Sequence, residues 1–175
     1  MKLSQNKIDD LVLRTVGEDS IKVVRHLIKN GENISEFIIA EDLKIPINSI
    51  RNILYRLQQQ NLVTFMRKKD KKKGWYIYYW TFNESQAQRL DKTLKKEQID
   101  ILKKRLETEE TGSFFTCSKK CLRLTFQRAL ENNFKCPECS KILEEVDNKK
   151  IIKEIKRELG LLESIYFSEE AVAAA

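Results

Sequence analysis

The sequence predicts an α+β chain, mainly helical, in which two small modules are joined by a charged helix. Three observations carry that expectation. Apolar residues recur at helical spacing as far as Gln60, an aromatic and β-branched stretch then replaces them, and all four cysteines fall between Cys117 and Cys139. At 175 residues the chain is long for one compact core and comfortable for two small ones.

The elements follow in order. Ile8, Leu11, Val12 and Thr15/Val16 set a first helix over residues 5–16, which Gly17 breaks. A second starts near Asp19, with Ile21, Val24, Leu27 and Ile28 on one face, and stops at Asn30-Gly31, a favourable helix end. Ser35 is a good N-cap for a short helix from Glu36 to about Leu43. Pro46 disfavours helix at the residue before it, so Lys44-Ile45-Pro46 forms a turn. Helix then resumes to about Gln60 and buries Ile50, Ile53, Leu54 and Leu57.

After Asn61 the period changes. Leu62, Val63, Phe65 and Met66 read as a strand, Arg67 to Gly74 as a basic loop, and Trp75 to Phe82 as a second strand of aromatic and β-branched residues. Helices followed by such a hairpin make a winged helix, a helix-turn-helix variant, extended here by its leading helix and occupying residues 1–83. Residues 84–113 form a charged helical linker carrying Ala87, Leu90, Leu94, Ile101, Leu102 and Leu106, and Thr111-Gly112-Ser113 ends it. Residues 148–175 hold a C-terminal amphipathic helix and tail. Ile151, Ile152, Ile155, Leu159 and Leu162 lie on one side of a helix of about 15 residues, which is marginal alone. Its apolar face needs covering, and these five residues are the candidate partner-binding surface.

Residues 114–147 form the cysteine module. Cys117 and Cys121 are spaced Cys-x3-Cys, and Cys136 and Cys139 Cys-x2-Cys. Two close pairs let each pair supply one edge of a tetrahedron, with the intervening chain closing as strands around an ion. Phe114, Phe115, Leu124, Phe126, Phe134 and Ile142 can form a small core. Four thiolates leave no open coordination position, so one Zn²⁺ there would be structural. Two disulfides, a redox pair and an iron site remain alternatives. A knuckle often carries Gly after its second cysteine; Leu122 and Ser140 stand there instead.

The formal charge of +7 is unevenly placed. Residues 1–83 carry 15 Lys/Arg against 9 Asp/Glu, while the rest of the chain is nearly balanced. Arg67, Lys68, Lys69, Lys71, Lys72 and Lys73 account for most of that excess. Together with Trp75, Tyr76, Tyr78 and Trp80 they combine phosphate-binding charge with stacking surface, which suits DNA backbone or a melted strand. The six cations with Trp75 and Tyr76 are the candidate DNA-binding residues. One aromatic set, Trp75/Ile77/Tyr79 or Tyr76/Tyr78/Trp80, must belong to the core. The helix before the wing offers Asn48, Ser49, Arg51, Asn52, Tyr55 and Arg56, too few cations for a major-groove reader. An exposed face or a protein contact is the better expectation for it.

Enzyme classes find little support. The only histidine, His26, lies within a helix and reads as a surface or boundary residue. Neither a histidine-based triad nor a nucleotide-phosphate loop is present. No stretch nears the roughly 18 apolar residues of a membrane span, and MKLSQNKIDD lacks a secretory apolar run, so an intracellular location is expected.

Phe115-Thr116-Cys117, Leu124-Thr125-Phe126, Ala129 and Phe134-Lys135-Cys136-Pro137-Glu138-Cys139, behind a leading winged helix and a charged linker, resemble the archaeal transcription factor E alpha-subunit family. That family is related to the large subunit of eukaryotic general factor IIE. The first cysteine pair is one residue longer than the family's usual Cys-x2-Cys. The resemblance implies a non-catalytic initiation factor in the archaeal cytoplasm, associated with the nucleoid. It would bind RNA polymerase at the clamp and near the stalk, and stabilise melted promoter DNA with its wing close to the bubble. A beta subunit is implied for some members, and the helix from Lys149 to Leu162 is where that contact would fall. A free-standing sequence-specific repressor and a metal-responsive regulator are the competing expectations.

Overall fold

The computed structural model describes residues 3–69 and 74–174, with side chains through Ser168. It divides into two compact units, residues 1–93 and 94–175.

The first unit begins with α1 (Gln5–Thr15) and α2 (Asp19–Asn30). Gly17 turns the chain between them at φ +121°, a conformation that L side chains rarely adopt. Then come β1 (Ile34–Ser35), α3 (Glu36–Leu43) and α4 (Ile47–Gln59). Ser35 caps α3 as its sequence position predicts, its hydroxyl accepting from the Phe37 N–H at 3.3 Å. Lys44 ends α3 in the left-handed region at φ 54°, and Pro46 precedes α4. The wing is β2 (Val63–Lys69) paired antiparallel with β3 (Tyr76–Phe82). β1 adds to the other side of β3, giving the order β1-β3-β2. The core joins Leu11, Val12, Val23, Val24, Leu27, Ile39, Ile50, Leu54, Leu57, Leu62 and Trp80, all fully buried. This is a winged helix with an added leading helix.

Two expectations need correcting here. The strand leaving α4 does not stop at Met66: Arg67, Lys68 and Lys69 continue it opposite Tyr78, Ile77 and Tyr76. Aromatic partners across the ladder support the cations' extended backbone. His26 is buried rather than superficial, with its Nε2 2.8 Å from an Asp42 carboxylate oxygen.

α5 (Glu84–Thr111) is one continuous helix. In the second unit, β4 (Phe114–Cys117), β5 (Arg123–Thr125) and β6 (Leu143–Glu145) form a ribbon of order β5-β4-β6. Between β5 and β6 lies α6 (Phe126–Glu131), a short helix where the cysteine spacing predicts only strands. Thr125 caps it, its hydroxyl accepting from the Arg128 N–H at 3.5 Å. Ile142, expected in the ribbon core, is 71% exposed. α7 (Lys149–Ala174) is considerably longer than its apolar repeat alone suggests. No helix of the described residues is long and apolar enough to cross a membrane.

α5 and α7 run antiparallel within this unit. Lys103 pairs with Glu163 at 2.7 Å and Glu110 with Lys156 at 2.6 Å, so numbers rise along one helix as they fall along the other. Next to the paired residues, α5 buries Leu102 just before Lys103, and α7 buries Ile155 just before Lys156.

Candidate metal centre and nucleic-acid interface

The four cysteines converge. Cys117 ends β4, Cys121 follows a tight turn, and Cys136 and Cys139 form a second turn before β6. Their Sγ atoms all lie within 4.8 Å of one another, and those of Cys117 and Cys139 are 3.6 Å apart. Every cysteine is free, the separations being far longer than an S–S bond. Zn–S bonds of about 2.3 Å in a tetrahedron place sulfurs roughly 3.8 Å apart, so the cluster fits one closed metal site. The turns are built to aim them. Lys120 donates its N–H to the Cys117 carbonyl at 2.8 Å, Ser140 does the same to Cys136 at 2.7 Å, and the Cys121 N–H points at the Cys117 Sγ at 3.4 Å. Each turn needs a left-handed residue, and Lys120 (φ 53°) and Ser140 (φ 57°) take that position without glycine. The longer first pair thus places its left-handed residue before Cys121 rather than at Leu122.

Electrostatics show why the cluster wants a cation. The Cys121 N–H, with further hydrogen bonds, holds the Cys117 thiol down at about 6, while hydrogen bonding to Cys117 and Cys139 pushes Cys121 up to about 12. One thiolate at this spacing resists a second unless positive charge arrives between them. Around the site Cys117, Cys136, Ala129 and Leu143 are buried, with Phe115, Leu124 and Phe134 packed against them. Phe115, Phe126 and Phe134 form a ring cluster with centroids 5.3–6.1 Å apart. Phe126 shows half its surface, so it belongs to the rim rather than the core.

The wing arranges cations and aromatics across its strands. Phe65, Arg67 and Lys69 stand opposite Trp80, Tyr78 and Tyr76 on one face. The Arg67 guanidinium lies 5.0 Å from the Tyr76 ring centre, and Lys68, on the other face, 5.5 Å from that of Tyr79. Trp80 is fully buried whereas Tyr76 and Trp75 are 51% and 52% exposed. Neither aromatic set is therefore wholly core: the Tyr76/Tyr78/Trp80 face enters the core at its root and emerges toward the tip. Lys71, Lys72 and Lys73 lie outside the described residues.

α4 does not present free cations. Arg51 gives Nε and Nη2 to the Glu36 carboxylate at 3.0 and 2.6 Å, and Glu36 is 1% exposed. Arg56 donates to the Val16 carbonyl at 3.1 Å and pairs with Asp19. Both arginines are spent on the fold. Arg51→Ala should therefore lower the first unit's stability by about 2–3 kcal/mol, because it strands a buried carboxylate; urea unfolding measures this, and an unchanged midpoint would contradict it. Beside Arg51, Phe37, Ile38 and Tyr55 are exposed on α3 and α4.

The five residues expected to meet a partner do not form a free stripe. Ile155 is 3% exposed and Ile151, Ile152, Leu159 and Leu162 are half-buried, because α7 turns this side inward within its unit. Among the described residues, Leu161, Ile165 and Phe167 are the large apolar side chains α7 leaves exposed.

A helix-turn-helix core with a wing, carried on one chain with a closed four-thiol ribbon, defines a class of transcription factor rather than an enzyme. The model of the TFIIE alpha subunit family matches residues 6–111, and the chain belongs to that family. It is 34% identical to Transcription factor E of Metallosphaera sedula, over 95% of this chain and 94% of that one. With Transcription factor E of Methanobrevibacter smithii it shares 36% identity, over 92% and 95%. Among solved structures, a possible transcriptional regulator from Methanosarcina mazei superposes with a TM-score of 0.51 at 12% identity, over 57% of this chain and 86% of that one. That likeness concerns the fold alone.

Proposed function

We propose that the chain is a basal initiation factor that binds RNA polymerase and stabilises the open promoter complex, its wing lying near melted DNA. The supporting observation is the division of labour in the first unit. Both α4 arginines are tied to Glu36 and Asp19, while Arg67, Lys68 and Lys69 line the wing among stacking aromatics. A wing of that composition follows a backbone or an unpaired strand and reads little sequence. The free-standing repressor loses support on the same grounds, because its reading helix has no uncommitted cation.

The factor acts by population shift. Binding the open polymerase–DNA state better than the closed one by ~1.4 kcal/mol changes their ratio tenfold, and a few phosphate contacts supply that. In the ribbon Cys117, Cys121, Cys136 and Cys139 hold one structural Zn²⁺, which supplies folding energy and no reacting atom. The ribbon then offers a rigid docking surface for the polymerase clamp and stalk. A beta-subunit contact falls on the exposed Leu161, Ile165 and Phe167 better than on the inward stripe.

Replacing Arg67, Lys68, Lys69, Lys71, Lys72 and Lys73 by Ala is expected to reduce promoter opening about tenfold while polymerase binding persists. Permanganate reactivity of the bubble reads the first and co-purification the second. An undiminished bubble would remove the wing's role, and nanomolar binding to one duplex without polymerase would restore the repressor reading.

A further inference from the structure

The second unit contains a polar knot outside the thiol cluster, built on the buried carboxylate of Glu109. Arg123, two residues after Cys121, gives Nη1 and Nη2 to the two oxygens of Glu109 at 2.7 and 2.6 Å. Glu109 belongs to the last turns of α5 and is 5% exposed. The same Arg123 Nη2 donates to the Asn148 side-chain oxygen at 2.7 Å, and its guanidinium lies 3.8 Å from the Phe114 ring centre. Asn148 precedes α7, and its amide donates to the carbonyls of Glu109 at 3.1 Å and Gly112 at 3.3 Å. It thereby satisfies carbonyls that the end of α5 would leave unpaired. Three segments distant in sequence meet at these side chains: the end of α5, strand β5 and the start of α7.

The chain around the knot has no slack. A Cβ on Gly112 would lie 2.7 Å from the Thr108 carbonyl oxygen and 3.1 Å from the Phe114 ring, so the exit from α5 is packed shut. Val146 donates its N–H to the Phe114 carbonyl at 2.8 Å, which brings the ribbon's two ends side by side. Thr116, beside Arg123 in the β4–β5 ladder, donates its hydroxyl to the Leu122 carbonyl at 2.8 Å. A short path of ordered backbone thus joins the Cys121 thiol to the Glu109 carboxylate.

We infer that Arg123 is a positioning residue that locks the cysteine ribbon to the α5–α7 helix pair, so that metal binding at the thiols sets how firmly α7 is held. The inference rests on the metal reading above. α7 is a long helix whose described side chains are mostly exposed, and its order depends on docking more than on its own propensity. Metal orders the Cys117–Cys121 turn and with it β5; β5 holds Arg123, which fixes Glu109 and Asn148 and so the angle at which α7 leaves the ribbon. Losing the metal frees Arg123, and the helix pair loses its anchored end.

Amide hydrogen exchange on the full chain tests this, with bound metal counted by native mass spectrometry. Chelation is expected to speed exchange over residues 149–162 in step with 114–147. Arg123→Gln is expected to keep one metal per chain and still speed exchange over 149–162 by about tenfold or more, as loss of a charge-assisted bidentate pair implies. Unaltered protection of 149–162 after chelation, or in a metal-loaded Arg123→Gln chain, overturns the lock. Should Arg123→Gln lose its metal, Asn148→Ala leaves β5 and all four cysteines untouched. Faster exchange over 149–162 in that variant supports the lock, and unchanged exchange refutes it. If the unsubstituted chain binds no metal, the metal reading fails on its own, and the same Asn148→Ala comparison still decides the knot.

Discussion

Cys136→Ser is expected to unfold residues 114–147 while the first unit, residues 1–93, keeps its structure. The buried cluster around the thiols consists of Cys117, Ala129, Cys136 and Leu143, of which two are themselves proposed ligands. So little apolar area cannot offset the ordering entropy of some thirty residues, which runs at about 1–2 kcal/mol each. Metal ligation contributes on the order of 10–16 kcal/mol to modules of this kind, and three thiols hold the ion far less well than four. Chelation should give the same result as the substitution, and acid should approach it, because protons compete with the metal for thiolate. Heteronuclear spectra distinguish the units: resonances from 114–147 should collapse toward random-coil values while those of the winged helix stay dispersed. A variant with unchanged ribbon resonances would mean that packing, not metal, builds the module.

That expectation needs only the cysteine spacing, and much of the fold is legible from equally local signals. Gly17, Ser35 and Pro46 punctuate the chain chemically, each acting on its own backbone, so the starts and stops of the first helices are legible without tertiary knowledge. What long-range pairing decides was hidden. The strand Val63–Lys69 runs on into cations because Tyr76 and Tyr78 wait opposite, a fact of register rather than of propensity. β1 is two residues long and exists only because Trp80 and Tyr79 offer an edge to Ile34 and Ser35. α7 reads as short from its apolar repeat, yet the helix continues once its start is anchored by Asn148.

The candidate site divides in the same way. The four thiols are recognisable because metal chemistry fixes ligand type and local spacing together. The commitments of Arg51, Arg56 and Arg123 are not, since each finds its carboxylate 14 to 37 residues away along the chain. A charge count treats those arginines as surface cations available to DNA. The carboxylates Glu36 and Glu109, nearly buried, remove two of them from that role. A sequence signal existed for Glu36, which falls at the first position of a capped helix, but nothing marked Glu109 among the acidic residues of the linker.

Trp80→Ala should be the most damaging single change in the first unit, costing about 3–5 kcal/mol. Trp80 is among the largest fully buried side chains and sits where three elements meet. Its strand neighbours are Ile34 and Phe65, and its ring packs near Tyr55 of α4 at 6.1 Å and Phe65 at 5.3 Å between centroids. Truncation would leave a cavity at the root of the wing. Because β3 is the central strand, both β1 and β2 would lose their shared support. The wing's exposed Tyr76 and its cations would then be held by a loosened hairpin, so promoter opening should fall along with stability. Trp80→Phe separates the two causes of loss. The Trp80 Nε1 has no hydrogen-bond partner among the described residues, so phenylalanine forfeits only volume. It should cost markedly less than alanine and keep the Tyr55 and Phe65 contacts. Urea midpoints of the two variants decide the matter. Equal losses for Ala and Phe would contradict the assignment of the loss to ring volume and its contacts with Tyr55 and Phe65.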